Sequence, residues 1–249
     1  MLKNIIKRFI PLFLLKILRK IREKILMRKF KKLKLRQVFE KIYNEKIWTP
    51  EIDKKKFKYY SGLGSHKNRF TTEYIFKVNN FLKSFKEKPS VIDLGCGDFK
   101  VSSKIFKNSS NFIGCDIFPD LIAQNKKNYK HDNLNFKVLD ITQDQLPKAD
   151  ICIIRMVLQH LSNEMIHKFI KNIKNNFKFL IVTEHFPSNE EFTANIDIIS
   201  GPNIRLSKNS AVDLVKPPFK LKILESKNIC KIFTDNFEGY INTVIYKLK

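Results

Sequence analysis

Short apolar runs recur between residues 90 and 183, each running into a glycine or a charged residue, and stretches of helical period lie between them. VIDLG, FIGCD, FKVLD, ICIIR and LIVTE are too short for buried helices, which predicts strands near 90–94, 111–115, 135–139, 150–154 and 178–183. Apolar residues three or four apart predict helices near 71–86, 99–107, 119–129 and 162–175, with a linking helix from Gln37 to Ile47 and a loop at Trp48-Thr-Pro50. Strand and helix alternate, so the expected class is α/β with a parallel sheet. In the tail, LKILES, NICKIF and INTVIYKLK read as further strands, the last two antiparallel about residues 235–239.

Nearer the N-terminus the period is helical and the polar face is cationic. From Ile10 on, Leu14, Ile17, Leu18, Ile21 and Ile25 share one face, while Lys16, Lys20, Arg22 and Lys24 lie off it. The uncharged run Phe9–Leu15 is too short to span a bilayer, and no small-residue cleavage site follows it. Charge sharpens this picture: of a net +24, residues 1–36 hold 14 Lys and Arg against one acid, Glu23, a net +13. A nucleic-acid enzyme would spread its cations over the catalytic face, so the charge is read as belonging to this segment. Residues 1–36 are expected to form a basic amphipathic helical segment and 37–249 a single α/β domain. The helix is read as an interfacial anchor on an anionic membrane, placing a cytoplasmic protein on the inner face of the plasma membrane. Packing on a partner or on its own domain is the alternative, and polybasic binding to RNA is a further one.

Cys96, Cys115, Cys152 and Cys230 are far apart, with no CxxC pair and no His at ligand spacing, so reduced cysteines and no metal site are expected.

VIDLGCGDFK (91–100) joins an apolar strand, an acid and two glycines one residue apart, a strand turning tightly into a helix where nucleotide-like ligands sit. A dinucleotide site has a third glycine where Lys100 stands, and Asp98 repels a pyrophosphate. A ligand with adenosine at one end and positive amino and sulfonium groups at the other suits these acids better. Asp116, closing the second strand, can accept both ribose hydroxyls. Asp140, closing the third, can read an adenine edge together with the backbone amide that follows. ICIIRMVLQHLS then opens a strand into a loop, with Arg155 and His160 near its mouth.

Through DLGCGDF, Asp116, LDI (139–141) and IIRMVLQHLS, the chain resembles the class I S-adenosylmethionine-dependent methyltransferases. Over residues 43–220 it is similar to bacterial methyltransferase-like proteins often found with surface-glycan biosynthesis, which share CGDF (96–99), SGxGS (61–65) and PPF (217–219). The resemblance implies a seven-stranded Rossmann-like methyltransferase sheet of order 3-2-1-4-5-7-6, with S-adenosyl-L-methionine over the ends of strands one and two. It implies that Gly95 and Gly97 let the backbone approach the methionine part and that Asp93 orders the turn around its amine. Asp116 then holds the ribose and Asp140 with Ile141 the adenine, while Cys96, Ile117 and Arg155 complete the expected cofactor set. Phe99 departs from the family, standing where a third glycine is usual.

YYSGLGS is expected either to close over the cofactor, Gly62 and Gly64 giving mobility and Ser61, Ser65 or Arg69 the polar contacts, or to form a plain turn before a helix capped at Thr71 or Thr72. Five of the eight Arg lie in the N-terminal segment, and Arg69, Arg155 and Arg205 are left for planar, multidentate contacts. Arg69 and Arg205 are assigned to the acceptor. His160 and His185, after the fourth and fifth strands, are the candidate general bases, with Glu184 and Asp197 in reserve. The expected activity is transfer of a methyl group to an oxygen of a sugar or sugar-phosphate in surface-glycan biosynthesis. An RNA methyltransferase and a catalytically silent binding module of the same fold are the rival readings.

Overall fold

The computed structural model describes residues 27–189, 191–234 and 239–249; the basic helix predicted from Ile10 on lies outside them. Seven strands form one sheet: β1 (Val91–Leu94), β2 (Phe112–Asp116), β3 (Leu134–Val138), β4 (Ile151–Arg155), β5 (Phe179–Phe186), β6 (Ile223–Phe233) and β7 (Tyr240–Leu248). Their order is β3-β2-β1-β4-β5-β7-β6. The first five are parallel, and β7 runs antiparallel between β5 and β6.

The side-chain period of two decides which residue meets which layer. Ile92, Leu94, Cys152, Ile154, Leu180 and Val182 pack on one face with Ile166 and Phe169 of a helix, Asn163–Asn172. Val91, Ile151, Ile153 and Ile181 pack on the other with Phe70, Tyr74, Val78 and Leu82, spaced four apart on the helix Asn68–Lys83. Burial on both faces explains why the central strands read as continuous apolar runs. In chain order the helices are α1 (Leu35–Asn44), α2 (Leu63–His66), α3 (Asn68–Lys83), α4 (Pro119–Asn128) and α5 (Asn163–Asn172). Phe30 is buried in the first layer, so the fold takes in residues N-terminal to the expected boundary at 37.

Two expectations differ from the structure. The helix expected over 99–107 is replaced by two 3₁₀ turns, Ser102–Lys104 and Phe106–Asn108. Serine hydroxyls there bond local carbonyls, Ser103 to Lys100 and Ser109 to Phe106, and the Ser102 hydroxyl leaves the segment altogether for Asp93. In the tail, LKILES and NICKIF join into one long strand, β6, with a register shift between Asn228 and Cys230.

Candidate active site

A cavity of about 830 Å³ lies over the carboxyl ends of the central strands. Its floor is Gly95–Gly97 after β1, Asp116 and Ile117 after β2, Leu139–Ile141 after β3, Arg155–Val157 after β4 and His185 of β5. Leu35, Phe39 and Tyr43 of α1, Trp48, the Ser61–Ser65 loop and residues 202–204, 206 and 207 close it from above. Asp116 and His185 stand three strands apart across the sheet, roughly 14 Å at ordinary strand spacing, so the cavity has two ends.

At the first end the glycine turn is required by its backbone, because Gly95 (φ 79) and Gly97 (φ 57) occupy the left-handed region. It is also required by contact. A Cβ on Gly95 would meet Val157 Cγ2 at 2.4 Å, and one on Gly97 would meet Ser61 Oγ at 2.2 Å. The close approach expected of a ligand is thus taken in part by the protein's own loop. Asp98 N–H donates to Ser61 Oγ (2.7 Å), and Ser61 N–H donates to Asp98 Oδ2 (3.2 Å). Phe99 (φ 61) adopts the left-handed conformation despite its Cβ. That costs ~1–2 kcal/mol, offset by burying the ring edge-on to Phe112, Tyr129 and Phe136.

Asp93 lies beneath this turn and is not part of the cavity wall. The Ser102 hydroxyl donates to its Oδ2 at 2.6 Å, and burial pushes its carboxyl up to about 7. It braces the turn from below and, although expected in the cofactor-binding set, does not reach the cavity wall.

Asp116 faces the cavity with its orientation fixed from behind. Gly97 N–H donates to Oδ2 and Phe118 N–H to Oδ1, both at 3.1 Å. A carboxylate has about four acceptor sites, so each oxygen keeps capacity for a ligand hydroxyl. Burial raises its pKa to about 6, with those amides opposing the rise. Tyr43 stacks on Phe118 at 5.5 Å, which pins α1 over this end. Asp140 also borders the cavity, but its carboxylate is largely engaged by Thr142 N–H (2.9 Å), the Thr142 hydroxyl (2.6 Å) and the Gln143 amide (3.1 Å). Ile117, Leu139, Ile141 and Cys96 supply the walls beside it.

The second end is built on a 3₁₀ turn, Leu158–His160, between β4 and α5. Glu184 accepts the N–H groups of Leu158 (2.9 Å) and Gln159 (3.0 Å). Arg205 holds the same turn by its carbonyls, donating to Leu158 (3.1 Å), Gln159 (3.3 Å) and Leu161 (2.7 Å), and also to Ile196 O (3.0 Å) and Asn163 Oδ1 (2.9 Å). Burial raises Glu184 to about 8 and lowers Arg205 to about 10. Arg205 is 1% exposed and absent from the cavity wall, which corrects its assignment to the acceptor: its fork is filled by the protein's own oxygens.

Gln159 bridges the two histidines. Its Oε1 accepts from His185 Nδ1–H (3.1 Å) and its amide donates to His160 Nε2 at a longer 3.4 Å. An amide oxygen only accepts and an amide nitrogen only donates, so Nδ1 carries the proton on both rings, and the lone pair of His185 is on Nε2. His160 Nδ1 is buried with no hydrogen-bond partner in good geometry, although backbone groups at Asn203 and Gly201 lie near enough to favour its protonated form. Burial lowers both imidazoles to about 4, so both are neutral at physiological pH. Trp48 packs on His160 at 4.7 Å and donates its indole N–H to Pro202 O (3.3 Å).

Arg155 links this end to the Ser61–Ser65 loop, donating to Gly64 O (2.8 Å) and Ser65 Oγ (3.3 Å) with its guanidinium over Tyr74. Arg69 is exposed on α3, over the Phe70 ring, and is not part of the cavity wall. That corrects the second acceptor assignment. Gln159, Trp48 and Tyr43 were missed by sequence reasoning. Trp48, the one tryptophan, was the available signal, since a large aromatic in a loop beside Pro50 needs a tertiary partner.

A sheet of this order, with an acid-bearing cavity over β1 and β2, defines the Rossmann-like methyltransferase fold. Residues 92–178, 87 of the 249, match the family model described as a methyltransferase domain. The N-methyltransferase NodS from Bradyrhizobium japonicum, solved with S-adenosyl-L-homocysteine, superposes with a TM-score of 0.58 at 13% identity over 82% of this chain and 96% of that one. A SAM-dependent methyltransferase of Leishmania major gives 0.53 at 15% identity, covering 76% of each chain. The methyltransferase domain of a bacterial Hen1 gives 0.50 at 17% identity over 71% and 98%. No curated protein matches the chain. At these identities the structural likenesses carry the fold, and the domain match carries the chemistry: the protein is a methyltransferase, with S-adenosylmethionine as methyl donor.

Proposed function

We propose that the protein transfers the methyl group of S-adenosylmethionine to a hydroxyl oxygen of a sugar in surface-glycan biosynthesis. The observation that supports this most is the His185–Gln159–His160 array, two neutral imidazoles at the end of the cavity away from Asp116. Asp116 would hold the ribose hydroxyls, Ile117, Leu139 and Ile141 the adenine faces, and the turn at Cys96 and Gly97 the amino-acid end. Bound there, the cofactor supplies an electrophilic methyl group on a cationic sulfur.

The protein's part is to place an acceptor oxygen and receive its proton. His185 Nε2 takes the hydroxyl proton as the oxygen–methyl bond forms, while Gln159 Oε1 holds the Nδ1 proton and so keeps the ring in the base tautomer. The charge gained by the imidazole replaces that lost from the sulfonium, and the buried cavity keeps its net charge. His160 and Trp48, packed on each other in the cavity wall, form the apolar side against which the sugar would lie. The likeness to NodS, an N-methyltransferase, speaks for the fold and not for the atom methylated.

The test is transfer of labelled methyl from the cofactor to a glycan extract and, separately, to total RNA. Label in glycan that falls ~10²–10⁴-fold in His185→Ala supports the reading. Label in RNA instead promotes the nucleic-acid rival, and cofactor binding with no transfer to either promotes the silent module.

A further inference from the structure

The chain enters the described fold at the rim of the acceptor end. Met27 and Phe30 pack on Gly201, where a Cβ would meet Met27 Cε at 3.0 Å and Phe30 Cγ at 3.6 Å. Gly201 immediately precedes residues 202–204, which line the cavity beside Leu206 and Ser207, and its N–H donates to the carbonyl of His160 (2.9 Å). A few residues on, Leu35 and Phe39 of α1 form part of the cavity wall itself. Between these anchors Arg28, Lys29, Lys31, Lys32, Lys34 and Arg36 are all exposed, six cations in nine residues with no acid among them. The 26 residues that precede Met27 add eight Lys and Arg against Glu23.

A second cationic patch follows the same wall. The turn Glu51–Asp53 after Trp48 carries Ile52, an aliphatic side chain that is 89% exposed, and Lys54, Lys55, Lys56 and Lys58 come next. Lys46 ties this loop to the end of α1 through the carbonyls of Lys54 (2.5 Å) and Phe57 (2.9 Å). Clustered cations with an exposed aliphatic residue are complementary to an anionic headgroup layer over hydrocarbon. The cavity-forming segment from Leu35 to Trp48 is thus bracketed along the chain by both patches.

We propose that the mouth of the cavity is a membrane-docking face, held on an anionic bilayer by the cations of residues 28–36, and that the acceptor sugar is carried there on a membrane-embedded lipid. The docking stands on the placement of these cations alone. The identity of the acceptor rests on the glycan reading above. An enzyme so placed meets a lipid-linked sugar at headgroup level without extracting the lipid, and its soluble counterpart only by three-dimensional diffusion.

Trp48 is the only tryptophan in the chain and lies in the cavity wall, so its fluorescence reports on this mouth. Full-length protein with bound cofactor is titrated with phosphatidylglycerol/phosphatidylcholine vesicles that carry a spin label at headgroup depth. Quenching of Trp48 by these vesicles, and not by pure phosphatidylcholine, is expected. Each surface cation contributes about fivefold to partitioning, so R28E/K29E/K31E/K32E, which removes four of them and adds four anions, should weaken it at least ~10²–10³-fold, with cofactor affinity unchanged. Vesicle binding without quenching, no binding, or full binding by the charge-reversed protein overturns the docking. The acceptor is tested in parallel with lipid-linked glycan in the same vesicles and with that glycan released by mild acid. Transfer at least tenfold faster to the lipid-linked form is expected, and equal rates overturn this part. Transfer to neither sinks the glycan reading and the lipid-linked acceptor with it, while the quenching result still decides the docking.

Discussion

Arg205→Lys is expected to destabilise the protein without changing how it recognises an acceptor. The guanidinium donates to four carbonyls and one amide oxygen, all protein atoms, from a position that is 1% exposed. An ammonium on a shorter stem has three donors and no planar fork, so it leaves at least two of these oxygens without a partner. Each buried acceptor so stranded costs ~1–3 kcal/mol, while the ammonium keeps a positive charge near Glu184, on the amide side of the same turn. For two such acceptors the sum is about 3–5 kcal/mol. For a domain of this size that is a fall in Tm of roughly 6–20 °C. Urea unfolding of the cofactor-free protein measures it, and turnover should drop with it because the turn carries Gln159 and His160. A variant within about 0.5 kcal/mol of wild type whose acceptor KM rises would refute the reasoning, since Arg205 would then be facing the acceptor after all.

Asp116→Asn should weaken S-adenosylmethionine binding by ~1.5–3 kcal/mol, the worth of hydrogen bonds to a charged group. Calorimetry with circular dichroism as a folding control decides it, and unchanged affinity would remove Asp116 from the ribose site. The unfolded chain's carboxyls are ionised above pH 5, whereas Asp93 and Glu184 hold protons in the fold to about 7 and 8. The native state therefore binds more of these protons, and stability should fall by ~1.5 kcal/mol from pH 6.5 to 8, about 2.5 from the two acids less about 1 as the unfolded chain's imidazoles, ordinary near 6.5, lose protons that buried His160 and His185 do not bind. Urea midpoints at the two pH values test this, and a rise in stability would show that these acids are already charged. Gln159→Glu puts a carboxylate on His185 Nδ1–H and should move the acid limb of the pH–rate profile up by about one unit or more. An unmoved limb would mean that His185 is not the titrating base.

What the sequence disclosed follows from the range of the interactions involved. β1, β2, β4 and β5 were readable because a strand buried on both faces needs only its own apolar run and flanking turn residues, edge strand β3 because its residues alternate between buried and exposed, and the glycine turn because Gly95 and Gly97 answer a local backbone demand. The segment 99–107 was misread because its apolar spacing suits a helix equally well, and the competing partner of Ser102 is Asp93, nine residues back. Arg155 and Arg205 show the limit most clearly. Scarce arginines in a lysine-rich chain pointed to multidentate contacts, and both make them, but with carbonyls of this chain up to 91 residues away. Residue type announces the demand for a fork of acceptors and says nothing of who supplies it. Trp48 and Pro202, 154 residues apart, are beyond any local pattern.

The Ser61–Ser65 loop connects the two ends of the cavity. Ser61 bonds Asp98 in both directions beside the glycine turn, while Gly64 O and Ser65 Oγ accept from Arg155 after β4. The loop is therefore held on the cofactor side by the turn that follows β1 and on the acceptor side by the last residue of β4. Burial lowers the Arg155 pKa, and the charge it retains further depresses His185. A shift of the loop that breaks the Gly64 carbonyl bond would leave that guanidinium to the cavity and change the field on the base. Five residues thus join the turn after β1, through Ser61 and Asp98, to the end of β4, through Gly64, Ser65 and Arg155.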